Sequence, residues 1–303
     1  MYVGFVVSLL RIVCAVHPDR GRPTSYLITT CAEGSHRMLT LRQALYQKND
    51  SGVPLPTVWT SLEKHGIRFL QGQYVMICAA PGIGKSAFVL TKVLESGVPA
   101  LYLSADSDEF TQTTRAMSIL NGWTMEKSAQ MYRDNKERAV QTLEDSRVLF
   151  DFNPSPTLKH IEDVVNSTLE LWDDYPHIIV VDNITNVISG FAGNDEDPFG
   201  GLESLNDYLH SMARNTGACV VGLHHVKADH NDGNKPIPLS GIKGQISRTP
   251  EMILTLHRIP SDHGPDTLNV SAVKNRSGRG FPSGRSYVSL QFDGKTMDIK
   301  DFQ

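Results

Sequence analysis

The segment Ala79-Ala80-Pro81-Gly82-Ile83-Gly84-Lys85-Ser86 constrains this chain more than any other. It follows an apolar run, Tyr74–Ala79, and opens a stretch with helical spacing, Lys85–Glu95. Small residues between a strand and a helix let backbone N–H groups wrap an anion, and the helix dipole adds to the attraction. The pattern is that of a P-loop, with Ala79 in place of the first glycine. Ala79, Ala80, Pro81, Gly82, Ile83, Gly84 and Ala87 would line the cradle. Lys85 would reach the β- and γ-phosphates, and the Ser86 hydroxyl would ligate Mg2+.

The text around this unit alternates apolar runs with helical patterns, the signature of a mostly parallel sheet covered by helices. Strands are predicted at Tyr74–Ala79, Ala100–Ser104, Arg147–Phe150, His177–Asp182 and Ala218–Leu223. Helices are predicted at Lys85–Glu95, Glu109–Leu120, Met125–Asp145, Leu158–Trp172 and Leu202–Asn215. The runs Glu251–Arg258, Thr267–Lys274 and Ser286–Phe292 follow one another across Gly/Pro/Asp turns, which predicts an antiparallel C-terminal edge. The fold class expected is α/β, a P-loop NTPase with a mostly parallel central sheet flanked by helices.

Two carboxylates stand where nucleotide chemistry needs them. Asp182 ends the buried run Ile178–Asp182 and would hold the metal, in part through water; its alternative reading is a helix cap. Asp106 is the first acidic residue after the Ala100–Ser104 strand and would polarise an attacking water, with Glu109 as its competitor. The bland reading of that cluster is an acidic helix N-terminus favoured by the dipole.

These residues resemble the RecA-fold motors of the DnaB-like and RepA-like hexameric replicative helicases, in a compact phage or plasmid form. The P-loop, Ser104-Ala105-Asp106, Asp182 and the element Lys274-Asn275-Arg276-Ser277-Gly278 occur in that family's order, over roughly Pro54 to Ile299. The resemblance implies ATP and Mg2+ as cofactors, a homo-oligomer of hexameric type, and Lys274 and Arg276 acting on the γ-phosphate of a neighbouring subunit. A planar, permanently charged guanidinium suits that role. Without the resemblance the pair would read as a solvated basic turn.

Two features depart from the family. Asp106 stands in place of Glu, withdrawing the carboxylate by one methylene, and a displacement of about 1 Å costs on the order of 10² in rate. The strand that usually ends in Ser-Gln ends here in Leu223-His224-His225. A histidine at this place resembles the RepA type, where it would sense the γ-phosphate and relay its state to the next loop, and His224 is the candidate. A metal role for the His pair lacks a completing ligand set.

By the same resemblance the loops Ser189–Gly201 and Lys227–Gln245 would face single-stranded DNA. The second offers Lys227, Lys235 and Lys243, cations that track a backbone without reading sequence. A solvated flexible loop is the alternative. The chain carries 29 Lys+Arg against 33 Asp+Glu, a net charge of −4, which argues against wholesale nucleic-acid coating but leaves a local basic channel open.

Residues 1–37 read as an extension of different character, ahead of an ATPase domain spanning 38–303 that starts with an amphipathic helix at Met38. Residues 2–16 are apolar but interrupted by Arg11, too short to cross a bilayer and without a basic leader. The four cysteines, Cys14, Cys31, Cys78 and Cys219, have no C-x-x-C spacing and suit a reducing cytoplasm, that of the host for a phage protein. The leading expectation is a replicative helicase that translocates on single-stranded DNA, with a loader or primase supplied in trans. A recombinase or recombination mediator, and a regulatory ATPase that binds no DNA, are the alternatives.

Overall fold

A computed structural model describes residues 51–189 and 200–302. The chain divides into two compact units, Met1–Lys48 and Asn49–Gln303, and the described residues belong to the second. The expectations for residues 1–37, the Met38 helix and most of the Ser189–Gly201 loop lie outside them.

A nine-stranded sheet organises this unit, and its order is β3-β2-β4-β5-β1-β6-β7-β8-β9. The strands are β1 (Tyr74–Ala79), β2 (Ala100–Ser104), β3 (Val148–Asp151), β4 (Ile178–Asp182), β5 (Cys219–His225), β6 (Met252–Ile259), β7 (Asp266–Asn275), β8 (Val288–Asp293) and β9 (Asp298–Asp301). From β3 to β6 all pairings are parallel; from β6 to β9 they are antiparallel. This is the RecA-like α/β architecture. The central strands β1, β2 and β4 are buried at every position, because helices cover both faces of a parallel sheet. Strand β8 alternates buried and half-buried residues, as a one-sided antiparallel edge does.

The helices are α1 (Thr60–Lys64), α2 (Lys85–Ser96), α3 (Glu109–Asn121), α4 (Met125–Asp134), α5 (Lys136–Leu143), α6 (Leu158–Trp172) and α7 (Gly200–Thr216). Local chemistry sets their limits. Asp108, Thr124 and Thr157 accept hydrogen bonds from the backbone N–H groups of Thr111, Lys127 and His160, and so start α3, α4 and α6. The single helix expected over Met125–Asp145 is two, because the Asn135 side chain takes the Arg138 N–H and starts α5 anew.

The final strand, which the sequence pattern did not predict, closes the unit. Trp59 Nε1 donates to the Ile299 carbonyl at 2.8 Å, and Asp301 accepts from the backbone and hydroxyl groups of Thr60 and Ser61 at the start of α1. Trp59 stacks on Phe88 of α2 with ring centroids 4.5 Å apart, so the chain's last strand is coupled to the helix that follows the cradle.

Candidate nucleotide site

The cradle sits at the C-terminal ends of the parallel strands. Ala79 is the last residue of β1, in extended backbone, so a methyl group costs nothing where the motif usually has glycine. The positions that do require glycine have it. Gly82 and Gly84 lie at φ 74° and 116°, and a Cβ on Gly84 would approach the Phe292 ring to 3.2 Å. Gly84 also starts α2, so the first N–H groups of that helix open into the loop.

Lys85 is buried, and its Nζ donates to the carbonyls of Ala79 and Ala80 at 3.2 and 3.4 Å. Burial lowers its pKa, opposed by the charges of Asp182, Cys78 and Asp106. Asp182 ends β4, where it is buried and accepts from the Tyr102 hydroxyl at 2.7 Å. Burial raises its pKa, while the Tyr102 and Ser86 hydroxyls and Lys85 pull it down. Its Oδ1 has no protein partner, and neither has Oδ1 of the adjacent buried Asn183. A buried acceptor without a donor is costly, so an oxygen in this position beside Ser86 suits a hydrated cation. Among the described residues no cluster of three or more His, Cys, Asp or Glu could hold a metal by itself. A magnesium ion bound with phosphate needs no such cluster, since water and phosphate supply most of its ligands.

The turn after β2 separates its carboxylates. Asp108 is occupied as the N-cap of α3. The Asp106 charge acts on Lys85, Asp182 and His225, whereas Glu109 acts on none of them. The N–H groups of Ala105 and Asp106 both donate to the Asp182 carbonyl, at 2.8 and 3.2 Å, which ties this turn to the end of β4.

Strand β5 runs two residues beyond its expected end and carries both histidines. His224 pairs with Cys78 and is wholly buried; His225 pairs with Ala79 at the cradle. A carbonyl only accepts, so the 2.9 Å contact of His224 Nε2 with the Lys243 carbonyl fixes the proton on Nε2. Burial pulls the His224 pKa down to about 4. Lys85 is the strongest charge acting on His225 and the weakest of those acting on His224. The sequence reading of His224 as the sensor is therefore divided: His225 faces the cradle, and His224 holds the following loop.

That loop, Lys227–Gln245, is fastened rather than free. Lys227 N–H donates to Gly241, Arg258 N–H to Gly233, and the Thr255 hydroxyl to Ile237. Gly233, at φ 65°, lies so close to the cradle that a Cβ there would come within 2.1 Å of Ile83 Cδ1. Lys235 and Lys243 are exposed and Lys227 is half-buried.

Lys274 and Arg276 lie at the other end of the sheet. Lys274 pairs with Ile253, Ile253 with Met76, and Arg276 N–H donates to Glu251, whose own N–H donates to Tyr74 at the start of β1. Tyr74 and Ala79 are about 16 Å apart at about 3.3 Å per strand residue. The pair is thus remote from the cradle of its own chain. Lys274 Nζ donates to the Ser247 and Arg248 carbonyls at 2.6 and 2.7 Å, and Arg276 to the Arg248 carbonyl at 2.8 Å. Burial lowers the Lys274 pKa to about 8, with Arg276 adding to the shift and Glu251 opposing it. Glu251 lies 3.8 Å from Arg276 and accepts from His210 Nε2 at 2.7 Å.

Tyr102, Gly233 and Glu251 were not singled out in the sequence. Tyr102 carried a readable signal, a hydroxyl inside a run too apolar to leave it unpaired. The other two act through contacts distant in the chain.

Residues 60–231 match the family described as an AAA domain. The chain is similar to the Gene 65 protein of Mycobacterium phage L5, at 55% identity over 267 residues, 88% of this chain and 99% of that protein. A probable plasmid replicative DNA helicase of Chlamydia muridarum is 24% identical over 291 residues, 91% of this chain and 62% of the relative. A solved DnaB-like replicative helicase, described with its interactions with primase, superposes with a TM-score of 0.71 at 17% identity, over 84% of this chain and 63% of that one. A solved ATPase domain superposes at 0.70 and 16% identity, over 86% and 96%. The chain thus spans less than two thirds of the chlamydial relative and of the DnaB-like helicase.

Proposed function

The chain belongs to the AAA-domain family, and from that membership we propose that it is an ATP-hydrolysing DNA helicase of replication. It forms a ring, of hexameric type, that translocates on single-stranded DNA with each ATP site between two subunits. The observation that carries this reading is the separation of Lys274 and Arg276 from their own cradle along β1. Cations so placed serve a phosphate only on another copy, and a head-to-tail interface that repeats closes into a ring.

Within one site, the cradle from Ala79 to Ala87 grips the phosphates through backbone N–H groups, and Lys85 turns from the Ala79 and Ala80 carbonyls to the β- and γ-phosphates. Ser86 and Asp182 would hold Mg2+, which would supply neutralising charge to the phosphates. Asp106 orients and deprotonates the attacking water. Arg276 and Lys274 of the adjacent copy stabilise charge on the transferring phosphoryl group, a contribution of about 10³–10⁵ in rate for an arginine finger. His225 faces the γ-phosphate end, and His224 passes its position to Lys243.

Lys227, Lys235 and Lys243 are the DNA-facing cations, with a loader or primase acting in trans. No helix among the described residues is long and apolar enough to cross a membrane, and the phage relative supports action in the host cytoplasm. Residues 1–37 are an extension of the motor.

Steady-state ATP hydrolysis by the full chain, with and without single-stranded DNA, tests the reading. DNA is expected to stimulate turnover several-fold, Lys85→Ala to abolish it, and Asp106→Asn to lower kcat by about 10² or more while Glu109→Gln leaves it nearly unchanged. Turnover indifferent to DNA would move the assignment to a regulatory ATPase.

A further inference from the structure

The segment between Lys243 and Arg248 is held at each end by a group belonging to a different ATP site. Upstream, His224 of the chain's own sensor strand donates to the Lys243 carbonyl. Downstream, Lys274 and Arg276 place three charged hydrogen bonds on the Ser247 and Arg248 carbonyls. His224 pairs with Cys78 on β1, while Lys274 lies level with Met76, so the segment runs down the sheet from the cradle end toward the trans element.

We propose that Lys274 and Arg276 are also the latch of this loop: they hold its downstream end in one copy, and release it when they turn to the γ-phosphate bound by the next. The inference rests on the trans role assigned to the pair above. It follows from valence and geometry. The donors aimed at Ser247 and Arg248 are the ones a γ-phosphate needs, and one ammonium cannot serve two carbonyls at 2.6 and 2.7 Å and a phosphate elsewhere at once.

The docked arrangement is also short of negative charge. Two cations share one carboxylate, Glu251, which His210 and the Tyr74 N–H already occupy. Burial is the main cause of the depressed Lys274 pKa, and the neighbouring Arg276 charge lowers it further. Neutral carbonyls hold the pair, and an anionic phosphate outcompetes them. Nucleotide binding in one copy thereby frees the Ser247–Arg248 end of the segment in its neighbour, while His224 keeps hold of Lys243.

Trypsin reads the latch directly, because the Arg248 carbonyl that both cations hold is the one trypsin must attack to cut the Arg248–Thr249 bond. The rate of that cut is measured by fragment mass on the full chain, without nucleotide and with saturating Mg2+ and a slowly hydrolysed ATP analogue bearing a γ-thiophosphate. The Lys274→Met/Arg276→Gln double variant is compared in parallel, and ATP hydrolysis is measured for each protein.

Loss of charged hydrogen bonds that contribute about 1.5 kcal/mol or more should raise the cutting rate at least about tenfold in the variant without nucleotide. The analogue should raise it similarly in the wild type and add nothing in the variant. Should the double variant fail to fold, Lys274→Met alone, which loses the two shortest contacts, gives the same comparison.

A variant that loses hydrolysis but is cut at the wild-type rate overturns the latch and leaves the trans reading standing. An analogue that slows or does not change the cut in the wild type also overturns the latch. A variant that hydrolyses ATP at the wild-type rate overturns the trans reading, and the latch with it.

Discussion

His224 is a neutral side chain made to stay neutral. It has no exposed surface, its Nε2–H is committed to the Lys243 carbonyl, and its Nδ1 finds no donor. Its pKa falls from 6.5 to about 4 on burial, which links folding to pH. Above pH 6.5 the ring is neutral in both folded and unfolded chains and contributes no pH dependence. Between pH 6.5 and 4 the unfolded chain takes up a proton that the folded one refuses, so stability falls through that window. The loss approaches about 3 kcal/mol from this residue when complete. His224→Gln keeps a donor for Lys243 and cannot titrate. Urea unfolding midpoints from pH 7 down to 4 should therefore fall less steeply in the variant than in the wild type. Parallel slopes would show that another group carries the acid sensitivity.

At the scale of elements, the Lys227–Gln245 loop comes close to the P-loop at Gly233, beside Ile83 and Ala80. Gly233→Ala places a methyl group within 2.1 Å of Ile83 Cδ1 and holds a non-glycine residue at φ 65°, so either the cradle shifts or the loop lifts. The expected result is a rise in KM for ATP of about tenfold, since a cradle displaced by a fraction of an ångström binds phosphate less well. Ile83→Ala removes the colliding atoms and should restore much of the affinity in the double variant. A KM equally raised in single and double variants would assign the whole effect to backbone strain at residue 233.

This contact also marks what the sequence could and could not tell. Strands β1 and β2 and helix α6 have the limits expected from it, because local chemistry sets them: unbroken apolar runs for the strands, Thr157 capping the helix. The cradle was legible for the same reason, as one contiguous segment with glycine where φ is positive. Asn135 misled because a capping side chain inside a polar helical pattern looks like any other polar residue. Strand β9 was missed because its four residues, Asp298–Asp301, acquire strand character from pairing with β8. Which of His224 and His225 packs on the following loop was hidden too, since adjacent strand residues point to opposite faces and only the folded loop says which face is which.

At the scale of the whole molecule, the proposed site is split between the ends of one sheet, so under that proposal no single copy holds a complete one. That has a consequence no intramolecular site shares. Lys85→Ala destroys a cradle and leaves the trans pair intact; Arg276→Ala does the reverse. Each variant alone assembles only defective interfaces and should hydrolyse ATP at a small fraction of the wild-type rate, given the 10³–10⁵ typical of an arginine finger. In a mixture, an Arg276→Ala cradle facing a Lys85→Ala neighbour regains every group. Random assembly from equal amounts makes roughly a quarter of the heterologous interfaces complete. Mixing the two inactive proteins, with time for subunits to exchange, should therefore recover up to roughly a quarter of wild-type hydrolysis if sites fire independently, and less if firing must pass around the ring. Light scattering on the same samples checks that mixed rings form. Recovery fixes Arg276 as a group acting across an interface, because no arrangement within one chain can repair either variant. Mixed rings without recovery would place the pair's role in holding Arg248 alone.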